Sequence, residues 1–216
     1  MALPKEKHRF TWDDYRSWDD GERWELIGCE VYGMSPAPTT RHQQISIELA
    51  GHLRDFFKGK KCLPFASPID VKLSEEDVVQ PDLFVVCDQS KIKRTHIEGA
   101  PDLAVEITSG RDSRDRVLKT VLYAASGVGE YWIVTPFPSS VEVFVLDKGR
   151  YALHKAYGRS GVLESPSFPG LCIPLEELFD FPLDDEEKAS LVFRDPPGTY
   201  RSDNLSRSTT PPEKYS

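Results

Sequence analysis

Two acids in this 216-residue chain stand where acids are least expected. Asp82 opens the run P-D-L-F-V-V-C, and Glu106 lies inside P-D-L-A-V-E-I-T-S. Both runs are short, apolar and β-branched between prolines and polar residues, the pattern of buried strands. A carboxylate in such a strand needs a partner. If the two strands are neighbours the acids face one another, and like charges about 4 Å apart repel by roughly 4 kcal/mol at an effective dielectric near 20. A hard divalent cation relieves that repulsion, and Mg²⁺ in particular is held by one or two carboxylates with water and substrate phosphate completing its shell. Lys119, in the following segment R-D-S-R-D-R-V-L-K-T-V-L-Y, offers a further positive charge. The alternative is architectural: Asp82 and Asp102, each directly after Pro, start strands or turns, and Glu106 pairs with a nearby Arg.

The elements that must position these residues follow from periodicity. The Lys119 segment is helical from about Asp112 or Ser113, with Val117, Leu118, Val121, Leu122 and Ala125 as its expected buried stripe. Lys119 lies roughly 130° from the centre of that stripe, with Asp115 and Tyr123 as its i±4 neighbours. It either pairs with Asp115 on a solvated face or leans over the sheet edge toward Glu106. After Gly127 and Gly129, E-Y-W-I-V-T-P is a buried strand reached by a helical crossover, hence parallel to the Glu106 strand. Upstream, Thr11 caps a short helix whose neighbours Phe10, Trp12, Tyr15 and Trp18 are packing anchors. R-W-E-L-I-G-C-E-V-Y-G-M-S makes two strands around a turn near Gly28. Thr39 or Thr40 caps a helix with a stripe of Ile45, Leu49, Leu53 and Phe56, stopped at Gly59. His42 and His52 stand ten apart on it, not at the i, i+4 spacing that binds a metal, so no metal role is expected of them. Ile69 to Leu73 alternates and should form a hairpin with the Asp82 strand, Asp70 lying at the surface. Asp147-Lys148-Gly149 turns a second hairpin, and P-L-E-E-L-F closes the fold as a short helix. The expected class is α/β, a mixed β-sheet flanked by helices.

Length and composition suit one domain, 1–183, with 39% hydrophobic residues to build its core. Residues 184–216 are rich in Pro, Ser, Thr and charge and are expected to be disordered. No run approaches eighteen apolar residues and the N-terminus lacks a signal-peptide core, so no membrane association is expected and the cytoplasm is the expected location. Cys29, Cys62, Cys87 and Cys172 form no C-x-x-C pair and are taken as free, mostly buried thiols. A net charge of -8 weighs against a chain that coats nucleic acid through its overall field. Against that, Lys91, Lys93, Arg94, Arg111, Arg114, Arg116 and Lys119 cluster along the chain around the two acids.

The order Pro-Asp, then D-L-A-V-E-I-T-S, then Asp115, Lys119 and Tyr123 spaced by four resembles the Uma-two type of PD-(D/E)XK nuclease-like proteins, a large bacterial family grouped with restriction endonucleases. R-W-E-L-I-G-C-E-V-Y-G-M-S-P-A-P, R-H-Q-Q-I, A-S-G-V-G-E-Y-W-I-V-T-P and F-P-G-L-C-I-P-L-E-E-L-F extend the resemblance over about residues 10 to 180. It implies a restriction endonuclease-like core acting on DNA with Mg²⁺ or Mn²⁺ held by Asp82, Glu106 and the Ile107 carbonyl. It also implies catalytic use of Lys119, with Tyr123 positioning it and Glu25 as an additional acid, Glu48 being the competing choice. A homodimer is expected of enzymes that cut both strands. The chain departs from the superfamily motif at Thr108, where the lysine two residues after the Glu would stand; Lys119 on the next helix is the replacement. That departure and the acidic net charge motivate a second reading, a nuclease-fold binding or regulatory module without turnover. A hydrolase of a small phosphorylated substrate is a third.

Overall fold

The computed structural model describes residues 8–34, 37–108 and 113–182, together with Asp185 and Lys188. The expected disordered tail thus lies outside the described residues apart from those two, as does Arg111. The chain divides into Met1–Phe181 and Pro182–Ser216. Every element below belongs to the first unit.

In chain order these are α1 (Trp12–Tyr15), β1 (Trp24–Ile27), β2 (Glu30–Gly33), α2 (Thr40–Phe57), β3 (Leu63–Ala66), β4 (Asp70–Lys72), β5 (Val78–Val79) and β6 (Leu83–Val86). There follow β7 (His96–Glu98), β8 (Leu103–Ile107), α3 (Ser113–Ser126), β9 (Glu130–Thr135), β10 (Ser140–Asp147), β11 (Arg150–Tyr157), β12 (Val162–Glu164), β13 (Cys172–Pro174) and α4 (Leu175–Leu178). They build a six-stranded sheet in the order β11-β10-β9-β8-β6-β3 and a five-stranded sheet in the order β2-β1-β5-β4-β7. The six-stranded sheet is mixed: β8 and β9 are parallel, joined by α3 as the crossover, and its other pairs are antiparallel.

One bent hairpin ties the sheets together. β3 pairs with β6 in the larger sheet, β4 with β5 in the smaller, and the acidic turn at Glu75 to Asp77 joins the arms. The bend falls where Pro68 interrupts one arm and Pro81 the other, since proline brings no N–H to a ladder. Asp82 therefore sits at the junction of the two sheets. The register Leu83↔Val105, Phe84↔Ala104 between β6 and β8, continued by one residue, sets Asp82 opposite Glu106, as the two strands' patterning anticipates.

Alternation along the strands then assigns the faces. Leu83, Val85, Leu103, Val105 and Ile107 pack with Ile45, Leu49, Leu53 and Phe57 of α2 in one core. Phe84, Val86, Ala104, Tyr131 and Ile133 point the other way, into a second core with Tyr123 of α3 and Val71 and Val79 of the smaller sheet. Glu106, between Val105 and Ile107, projects into the second. The α2 stripe differs by one position from expectation: Phe57 takes the fully buried place and Phe56 stays partly buried beneath Lys60. Thr39 is its cap, accepting from the His42 N–H, and Gly59 at φ 75 lies just beyond its end.

Two expectations are overturned here. The inward face of α3 is not the valine stripe: Val117 and Val121 are 61% and 64% exposed, while Lys119 and Tyr123 are buried. Apolar periodicity misassigned the face because two polar side chains with buried partners outcompete two valines for it. The cysteines are not all free thiols either. Cys62 and Cys87 form a disulfide, Cys29 is free and buried, and Cys172 is free but exposed. The pairing follows from register, since Leu63↔Val86 continued outward by one residue places Cys62 opposite Cys87. Twenty-five residues of separation without a motif concealed it.

Candidate active site

Each acid reaches the site by a different route. Glu25 comes from β1, whose antiparallel pairing to β5 through Leu26↔Val78 lays it beside the Gln80 backbone. The Gln80 N–H donates to Glu25 Oε1 at 2.9 Å. Glu106 comes from the centre of the larger sheet, and α3 lies over it with Lys119 and Tyr123 one turn apart on the same face. The Lys119 ammonium lies 3.1 Å from Glu25 Oε1 and 3.2 Å from Glu106 Oε1. The Tyr123 hydroxyl donates to the same Glu106 Oε1 at 2.7 Å. Both contacts of Glu106 thus fall on one oxygen, leaving Oε2 for another partner. Lys119 does not follow the alternative of a solvated pair with Asp115; it crosses to the sheet.

Asp82 closes the site from the opposite strand. Its Oδ2 accepts the Ile107 N–H at 2.7 Å, in place of a ladder bond that β6 no longer supplies. The Thr108 N–H turns the other way, toward the Val134 carbonyl of β9. Because the N–H and C=O of one strand residue point to the same side, the Ile107 carbonyl is directed to the Asp82 edge. Asp82 Oδ1 lies 3.2 Å from His42 Nε2. Its side chain is 21% exposed, against 10% for that of Glu106, so the cluster opens to solvent on the Asp82 side.

The five residues singled out from sequence, Asp82, Glu106, Lys119, Glu25 and Tyr123, are therefore brought together, with Ile107 between Asp82 and Glu106. Glu48 is not among them; its partner is Gln44, one turn earlier on α2. Of the basic cluster, Lys91 caps the Ala100 carbonyl, Lys93 the Ser90 carbonyl, and Arg116 pairs with Glu142. Among the described members of that cluster, Lys119 is the one that enters the site. Asp70 is held by Tyr15 and Gln80 rather than left in solvent, and Arg23 binds the same Gln80 side chain. Sequence reasoning passed over His42, judging it only against His52. Its position three before Ile45 and seven before Leu49, on the inward stripe of α2, was the available signal.

The electrostatics leave an excess of negative charge. Glu25 and Glu106 face one ammonium, that of Lys119, and Asp82 stands across the ladder from Glu106. Burial pushes the Glu106 carboxyl up to about 8, and although Lys119 opposes this, Asp82 and Glu25 add to it. Burial alone would lower the Lys119 ammonium, but Glu106 and Glu25 outweigh that and hold it well above its ordinary value. Lys119 accordingly stays charged against Glu25, and Glu106 is the group that takes up a proton when no other cation is present. Burial, with Glu106 and Glu25 adding to it, raises the Tyr123 phenol well above its usual range, so it remains a neutral donor.

The donor set fits a hard divalent ion: two carboxylates facing across a ladder, a backbone carbonyl beside them, and a protonated acid whose proton a cation could replace. Among the described residues no group of three or more His, Cys, Asp and Glu side chains is arranged to hold a metal ion. A site of two carboxylates, one carbonyl and water does not require such a group.

The mixed sheet with its parallel crossover pair, flanked by helices and carrying acids at its bend, is a fold shared with a solved structure. It aligns with the crystal structure of a putative nuclease of the DUF820 family from Anabaena variabilis ATCC 29413, at 20% identity and a TM-score of 0.64, covering 79% of this chain and 97% of that one. The chain belongs to the Uma2 family, described as "Putative restriction endonuclease", which it matches over residues 12–176. No curated protein matches it. Among the described residues no helix is long and apolar enough to cross a membrane.

Proposed function

We propose that the chain is a metal-dependent endonuclease hydrolysing DNA phosphodiester bonds, with Mg²⁺, or Mn²⁺ in its place, as cofactor. The observation that carries this is a buried charge imbalance: Glu106, whose carboxyl burial raises with Asp82 and Glu25 adding to it, faces Asp82 across the ladder. Asp82, Glu106 and the Ile107 carbonyl would hold the ion, which when bound polarises a phosphate oxygen and acidifies a water. Lys119, fixed between Glu25 and Glu106, offers its remaining N–H to a phosphate oxygen as charge develops there. Glu25 keeps that ammonium charged, and Tyr123 fixes the Glu106 carboxylate from which it is suspended. The water oxygen bonds to phosphorus and gives up a proton to solvent, the P–O bond to the leaving strand breaks, and the leaving oxygen takes up a proton from solvent.

The test is cleavage of duplex DNA that requires Mg²⁺ or Mn²⁺ and stops on chelation. As part of the same reading we propose a homodimer, the exposed Val117 and Val121 of α3 being the apolar face a second copy would cover. Light scattering on the active sample should then give twice the monomer mass, and a monomer that cuts both strands would refute the dimer. The acidic net charge favours one competing reading, a nuclease-fold binding or regulatory module without turnover. It predicts no heat of Mg²⁺ or Mn²⁺ binding.

The raised Glu106 carboxyl makes a further prediction. In the metal-free protein it keeps its proton up to about pH 8, so an incoming cation must displace that proton. Affinity should rise roughly tenfold per pH unit below 8 and level off above it. Calorimetry in two buffers of different ionisation heat should register close to one proton released per ion near pH 6. Uptake without proton release would show that Glu106 is not a ligand.

A further inference from the structure

The imidazole of His42 has no part in the reading above, yet it touches the Asp82 carboxylate on the oxygen that Ile107 leaves free. Its Nε2 is 3.2 Å from Asp82 Oδ1, while the Ile107 N–H holds Oδ2 at 2.7 Å. At that distance Nε2 must carry the proton for the contact to attract, whether the ring is neutral or charged. The other ring nitrogen, Nδ1, is buried and has no hydrogen-bond partner. An unsatisfied buried polar atom costs about 1–3 kcal/mol, which cancels most of what one hydrogen bond to a carboxylate returns. Stability of the fold therefore gives no reason for an imidazole at this place.

Its location is set with some care by α2. Thr39 accepts the His42 backbone N–H and so starts the helix three residues before it. The side chain then leaves the first turn on the inward stripe, one turn before Ile45. That first turn carries the positive end of the helix dipole, which favours a carboxylate placed against it.

We infer that His42 is a positioning residue for the metal site. With Ile107 it clamps Asp82 by one donor on each oxygen, so that the carboxylate plane is fixed and its remaining lone pairs face Glu106 across the ladder. This rests on the metal-dependent reading and extends it to α2, an element from which that reading takes nothing. His42 acts through Asp82, without itself joining the coordination shell. Partners that orient ligating carboxylates typically contribute 10–100-fold to metal affinity.

The test uses the full chain with Mn²⁺ alone, its uptake followed by electron paramagnetic resonance. His42→Leu should weaken Mn²⁺ binding by about 10–100-fold with little change in the thermal midpoint. His42→Gln, whose amide nitrogen stands at the position of Nε2, should restore most of that loss. Long-range proton–nitrogen spectra of the metal-free protein report the same contact independently: Nε2 of His42 should be the protonated nitrogen, and its resonance should move in Asp82→Asn. Leucine binding Mn²⁺ as tightly as the wild type, or a resonance indifferent to Asp82→Asn while Mn²⁺ is taken up normally, overturns the role of His42 and leaves the metal site standing. A wild type that takes up no Mn²⁺ although the resonance does respond overturns the metal reading, and the positioning role with it.

Discussion

Replacing Lys119 by methionine is expected to abolish DNA cleavage and to cost the fold about 3–5 kcal/mol, the range for removing one member of a buried ion pair. Lys119 is 5% exposed and faces two carboxylates, so its removal leaves both without compensation. The destabilisation must depend on pH in a stated direction. Without the ammonium, which opposes the effect of burial, the Glu106 carboxyl lies higher still in the folded state, and the folded variant keeps a proton that the unfolded chain releases. The variant should therefore go on losing stability as pH rises above about 8, where the contribution of Glu106 in the wild type has levelled off, and unfolding midpoints across that window would show it. Lys119→Arg tests a separate point. A guanidinium is planar and forked, whereas here one nitrogen serves both carboxylates at once, so charge alone should not restore activity. A Lys119→Met protein that still cleaves DNA would remove the lysine from the mechanism. An unchanged midpoint would mean that the ion pair contributes nothing to the fold.

What sequence conveyed about this site depended on which physical rule governed each residue. Asp82 and Glu106 were conspicuous because an acid in a β-branched run violates the pattern around it, and strand register then placed them face to face. Both hairpin turns were equally visible, since Gly28 and Cys29 at φ 59 and 66, and Lys148 and Gly149 at φ 48 and 78, take up backbone conformations that few residue sequences favour. The orientation of α3 was hidden for the opposite reason. Periodicity assumes that valine goes inside and lysine outside, and here Lys119 is inside because acids from two separate sheets meet it there. No local rule contains that information. The Cys62–Cys87 disulfide and the His42–Asp82 contact share this property: each is a consequence of register or of helix placement between segments distant in the chain.

Glu106→Gln and Asp82→Ala should each abolish metal-dependent cleavage while moving stability in opposite directions. Glutamine keeps an acceptor for the Tyr123 hydroxyl and removes a carboxyl that burial, Asp82 and Glu25 all disfavour in its charged form. Because the folded-state value, about 8, lies above the ordinary carboxyl value of 4.5, the wild type loses stability as pH rises between them. The gain from glutamine should thus be absent near pH 4 and greatest at pH 8 and above. It should reach roughly 2 kcal/mol, well short of the full displacement at about 1.4 kcal/mol per pH unit, because Lys119 loses one of its two carboxylates. Asp82→Ala acts the other way. It leaves the Ile107 N–H and the His42 imidazole without their acceptor, at a cost of about 1–3 kcal/mol. A site whose stability improves when its chemistry is removed is one in which negative charge has been assembled for a cation. Cleavage retained in either variant, or a Glu106→Gln protein less stable than the wild type at pH 8, would refute that account of why carboxylates from two sheets are gathered here.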